Sequence, residues 1–197
     1  MKMNALPSLA FALLLTAGSY AAPIVITHTG TGSGYIGSTS FSNAPFTITE
    51  IADTASRVSI SGGFAIADIS TSISINGVGD FSITSAMRTF VNNGSRTVGF
   101  SRAGPTGSDL LDGPTTAVFG SWDMLSSIGP ISGPGILIQW NWPAVLTSGG
   151  TLYFYDNDLG NMSTTFTATI TPEPSSLALL GLAAVLGLAS RRSRKTL

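Results

Sequence analysis

Polar and apolar side chains alternate with a period of two over much of the chain, the pattern of half-buried β-strands. From Ser163 to Thr171, Thr165, Thr167, Thr169 and Thr171 interleave with Phe166, Ala168 and Ile170. In Gly135 to Trp142, Ile136, Ile138, Trp140 and Trp142 share one face; Leu137, Gln139 and Asn141 share the other. Similar runs rich in β-branched and aromatic residues occur at 23–28, 45–51, 57–60, 64–69, 72–75, 80–84, 97–101, 115–119 and 151–156. Turn chemistry separates them. Asn76-Gly77, Asn93-Gly94, Gly62-Gly63 and Gly149-Gly150 suit hairpins, and the Gly-Pro pairs between Gly104 and Gly135 break any helix there. One short helix fits Ser121 to Ser127, and Thr29 to Ser40 reads as a loop or a loose edge strand. Many short strands with regular turns predict an all-β fold: a single β-sandwich or jelly-roll-like domain.

The two ends break this pattern. Lys2, the apolar run Leu9 to Leu15 and the small-x-small triplet Ser19-Tyr20-Ala21 predict a secretory signal helix over 1–21, cleaved after Ala21. Near the other end, Leu177, Leu179, Leu180, Leu182, Val185, Leu186 and Leu188 lie in an uncharged segment followed by Arg191, Arg192, Arg194 and Lys195. As a helix that segment is roughly 20 Å long, against a hydrocarbon core of ~30 Å. It predicts a short C-terminal transmembrane helix that spans only by thinning the bilayer. The basic cluster stays cytoplasmic and places the preceding chain outside. Both ends therefore predict export.

Immediately before the apolar segment stands Pro172-Glu173-Pro174. Motif, short apolar helix and basic end together resemble the PEP-CTERM sorting signal of Gram-negative bacteria. The resemblance implies passage through the inner membrane, recognition by an exosortase, removal of the tail near the motif, and delivery to the cell surface or an extracellular polysaccharide matrix. In that reading the tail is the exosortase's substrate and catalyses nothing. The chain divides into a signal peptide (1–21), a β-rich extracellular domain (22–171) and the sorting signal (172–197).

Composition narrows the chemistry of the domain. The 197 residues have a net charge of -1, 10% charged residues and no cysteine, which excludes disulfides and thiolate chemistry. Residues 22–171 hold four arginines, nine acidic residues and no lysine, so Lys–Asn isopeptide crosslinks are excluded and no basic stripe points to nucleic acid. His28 is the sole histidine and is expected to be an exposed strand-end residue, unsuited to a triad or a zinc site. Arg88 and Arg102 are expected to be surface charges on paired strands. Asp109, Asp112 and Asp123 are the carboxylates available for glycan chemistry, although Asp112-Gly113-Pro114 reads more simply as a turn. Asp156 and Asp158, in Asp-Asn-Asp-Leu-Gly-Asn, form either a Ca²⁺ loop or a turn; no other cofactor is expected. Trp140 and Trp142 form either a sugar-stacking platform or part of the core beside Ile136 and Ile138. The sequence thus predicts a non-enzymatic, exported surface or biofilm-matrix protein. The alternatives are a carbohydrate-binding module for extracellular polysaccharide and a glycan-active enzyme.

Overall fold

A computed structural model describes residues 22–104, 107–141, 143–155 and 162–171. They are all-β: β1 (Pro23–Ile36), β2 (Thr39–Asp53), β3 (Val58–Ile60), β4 (Gly63–Ile75), β5 (Gly79–Ile83), β6 (Met87–Asn92), β7 (Thr97–Arg102), β8 (Asp109–Thr115), β9 (Ile128–Leu137), β10 (Val145–Thr147), β11 (Gly150–Phe154) and β12 (Met162–Ile170). The signal helix, Pro172-Glu173-Pro174, the C-terminal helix, Asp156, Asp158 and Trp142 lie outside the described residues. No helix among the described residues is long and apolar enough to cross a membrane.

The strands form one sheet that returns on itself in sandwich-like fashion. Antiparallel pairing runs from β1 through β2, β4, β6, β7, β8, β9 and β12 back to β1. A second circuit leaves β4 through β5, β10 and β11 and also rejoins β1. Closure removes most of the unpaired edges on which another chain could add. The long stretch Thr29 to Ser40, expected as a loop or loose edge, instead supplies most of β1 and the start of β2 at the centre of both circuits. Its glycines make that placement possible. A Cβ on Gly34 would stand 2.0 Å from the Tyr153 carbonyl oxygen, at the point where β11 pairs with β1. Gly34→Ala is therefore expected to cost about 1–3 kcal/mol or more by overpacking. A urea unfolding midpoint equal to wild type would refute that.

Two more expectations are corrected. Residues 121–127 form no helix; a 3-10 turn at Ala117–Gly120 precedes them. Asp112-Gly113-Pro114 lies within β8 rather than in a turn. Gly133-Pro134-Gly135, expected to break any helix, lies within β9, paired to β12. Asn76-Gly77 does make its turn, with Gly77 at φ 77°.

The runs expected at 64–69 and 72–75 are one strand, β4, interrupted by a bulge. Ile51 pairs with Ser70 and the next residue, Ala52, pairs with Asp68, so Ile69 is the extra residue and is exposed. One extra residue reverses the phase of a strand. Ile66 and Asp68 point inward before the bulge, and Thr71, Ile73 and Ile75 point inward after it.

The interior holds two apolar clusters. One contains Phe46, Ile48, Ile73, Phe100, Trp140 and Phe154. The other contains Ile24, Ile26, Ile66, Phe119, Trp122 and Phe166. Trp140, 1% exposed, donates from Nε1 to the Leu110 carbonyl at 2.7 Å and packs edge-on against Phe154. The platform reading is corrected for this residue, but not by the expected face: β9 buries Leu137 and leaves Ile136 and Ile138 only half-buried, and Trp140 turns inward beyond the strand end, after Gln139 at φ 54°. Trp122 is buried as well.

Candidate functional site

Between the two apolar clusters lies a polar layer. His28 continues the inward alternation of Ile24 and Ile26, and Glu50 continues that of Phe46 and Ile48. Both are 0% exposed. His28 is thus buried rather than an exposed strand-end residue: β1 is a central strand with β2 on one side and β12 on the other. Its ring lies edge-on to Phe166 of one cluster and tilted to Phe100 of the other, at 5.0 and 6.3 Å. Nε2 is 3.2 Å from Glu50 Oε1, but the two are not aligned for a hydrogen bond. Thr89 donates to Glu50 Oε2, and Thr71 donates to Asp68 Oδ2 at 2.8 Å. The bulge in β4 places Asp68 and Thr71 together.

Burial dominates the protonation of this layer. It lowers the His28 pKa to about 4, against a smaller upward pull from Asp68. It raises Glu50 to about 7, opposed by hydrogen bonds with Thr89 and Asp68. It raises Asp68 to about 9, with the Glu50 charge and the hydrogen bond to Glu50 adding to the effect. Ionised carboxylates only accept hydrogen bonds, and Glu50 Oε1 and Asp68 Oδ1 have no donor. A proton held by Asp68 supplies one. Among the described residues, no group of three or more His, Asp or Glu side chains could hold a metal ion.

Of the carboxylates singled out for glycan chemistry, Asp109 and Asp112 line one open groove of about 420 Å³. Its walls come from β6 to β9 and include Phe90, Asn92, Thr97 and Ile136. Burial raises the pKa of both; Asp112 reaches about 6, with the Asp109 charge as second cause. Asp123 stands apart, 3.7 Å from the Arg57 guanidinium and capping the Leu125 amide. Arg102 is buried rather than a surface charge, and donates to the carbonyls of Gln139 and Pro143. Arg88 donates to Ser101 across β6 and β7.

On the outer face, the closure of β11 onto β1 assembles three aromatic rings that period-two reasoning did not group. Tyr35 is directly opposite Tyr153, and the rings stack at 5.2 Å with a 20° interplanar angle. Tyr155 meets both edge-on, at 6.4 and 5.6 Å. Tyr35 and Tyr155 are exposed, and Tyr153 is half-buried against the core.

The domain's first and last described residues lie side by side. Thr171 N donates to the Pro23 carbonyl at 3.0 Å, and Ala22 N donates to Thr54 Oγ1 at 2.9 Å. From Thr171 onward, residues 171–195 match the family model described as the PEP-CTERM protein-sorting motif. The chain carries a PEP-CTERM sorting motif. This motif indicates an exported protein processed by an exosortase and sorted to the cell surface in Gram-negative bacteria. It begins where β12 ends, so the sorting signal is joined to the β domain with no intervening linker. No curated protein and no solved structure matches the chain.

Proposed function

We propose that the β domain acts without catalysis as a component of the cell surface or the exopolysaccharide matrix of a biofilm, delivered there by removal of a signal peptide and of the PEP-CTERM tail. The observation that carries this reading is the sorting motif at 171–195 abutting the domain. The adjacency of Pro23 and Thr171 supports it: both segments destined for removal leave from one end of the domain. The closed sheet supports it too, because it leaves few edges for aggregation in a crowded matrix.

The intact mass of the protein recovered from the matrix of native cells tests this. The expected mass lacks about the first 21 residues and the sequence beyond Pro172-Glu173-Pro174, and cells without exosortase retain the full tail in the membrane fraction. Protein recovered with its C-terminus intact, or processed protein absent from surface and matrix fractions, overturns the reading.

The groove holding Asp109 and Asp112 favours a second reading, a glycan-active enzyme. A carboxyl with a pKa near 6 is suited to general acid work at neutral pH. Release of reducing ends from a glycan panel, abolished by Asp112→Asn, would establish it; no turnover by the processed protein would remove it.

A further inference from the structure

We propose that Tyr35, Tyr153 and Tyr155 form a stacking platform for the sugar rings of a neutral polysaccharide. The inference deepens the matrix role proposed above and rests on it.

Pyranose rings present a face of C–H groups ringed by hydroxyls. They are recognised by aromatic rings that offer apolar area, with uncharged polar groups at the edge. Both features meet on this face. Tyr35 and Tyr155 are 37% and 41% exposed, and each keeps a phenolic hydroxyl as donor and acceptor. Directly across β1 from Tyr35 stands Ser40, so Ser40, Tyr35 and Tyr153 form one row over three strands. Thr151, two residues before Tyr153 on β11, extends the hydroxyl edge and pairs with the exposed Leu146 of β10. None of these residues is charged. That favours a neutral polymer over an anionic or cationic one, and over a charged lipid surface.

Rigidity and placement also fit. The three rings are 5.2 to 6.4 Å apart, and two of them are held in register by β1–β11 pairing. A platform fixed on strands loses little side-chain freedom on binding. Tyr35 is near the end of β1 opposite Pro23, as much as about 40 Å along the strand from the end that carries the sorting tail. Polymer can reach it while the tail is still in the membrane.

The test uses processed protein recovered from the producing cells, run in affinity electrophoresis. The gels contain the cells' own purified exopolysaccharide, hydroxyethylcellulose (neutral), polygalacturonate (anionic) or glycol chitosan (cationic). Wild type is expected to be retarded by at least one neutral polymer, and the retardation persists at high salt because no ion pairs form. Tyr35→Ala with Tyr155→Ala is expected to weaken that affinity at least about tenfold. The double Phe variant keeps most of it. Circular dichroism and the unfolding midpoint establish that each variant is folded. Tyr155→Ala alone, just beyond the end of β11, serves if the double variant is not.

Equal retardation of wild type and the alanine variant overturns the platform, as does the absence of wild-type retardation on every polymer. So does binding confined to the charged polymers and lost at high salt. Sedimentation showing that the tyrosines instead hold two copies together also overturns it. In each of these cases matrix fractionation of the wild type still reads the broader role separately: protein found in the matrix but blind to the tyrosines leaves that role standing.

Discussion

The stability of the β domain is expected to fall as pH is raised from about 5 to about 9. Glu50 and Asp68, with ordinary values of 4.5 and 3.8, are raised in the fold to about 7 and about 9. The folded state therefore holds two carboxyl protons that the unfolded chain releases. The stability this contributes is fully present below the unfolded values and is lost as pH rises through about 7 and then about 9. His28 acts the other way. Its value drops from 6.5 to about 4, so its burial costs most below pH 4 and the cost disappears by 6.5. Two carboxyls outweigh one imidazole, and the net slope is downward across the window, on the order of 1 kcal/mol per pH unit. Urea midpoints at pH 5, 7 and 9 measure it. Glu50→Gln keeps an acceptor for Thr89 and removes one titration; combined with Asp68→Asn it is expected to flatten the profile. A flat wild-type profile, or an undiminished slope in the double variant, would contradict the assignment of shared protons to this layer.

Trp140→Ala is expected to destabilise the domain by about 3–5 kcal/mol. Natural domains hold only about 5–15 kcal/mol, so most of the stability is at stake. The indole fills space against Phe154 and Phe100, at 4.8 and 6.5 Å between ring centroids. No exposed position is available to it, because both neighbouring rings are themselves fully buried. Trp140→Phe should cost much less. It forfeits the Nε1 hydrogen bond, but the Leu110 carbonyl still accepts from Ile138 N at 3.0 Å. Thermal unfolding of both variants checks this ordering. A loss below 1 kcal/mol for the alanine variant would return Trp140 to the surface.

Much of this architecture was legible in local pattern. The threonine alternation of β12 and the Asn76-Gly77 turn each rest on neighbours a few residues away. Even the polar layer left a trace: His28 falls in phase with Ile24 and Ile26, and Glu50 with Phe46 and Ile48. Phase in a strand outweighs polarity when both flanking strands are paired, and the signal was there to be followed. Asp68 was harder. Its inward direction depends on the bulge at Ile69, which is visible only in the pairing of β4 with β2. A run of glycine, serine and threonine was misleading in the opposite sense. Small side chains signal a loop locally, whereas in β1 they let β11 approach closely.

The sequence by itself determined the all-β class, the turns and the sorting motif, because strand period, turn chemistry and a contiguous recognition signal are all encoded within short stretches of chain. Only the tertiary structure decided that the sheet closes twice on β1, that His28, Glu50 and Asp68 share one polar layer, and that Tyr35 meets Tyr153 and Tyr155. Each of these depends on which distant strands pair and in what register, and period-two alternation is the same whichever partner a strand takes.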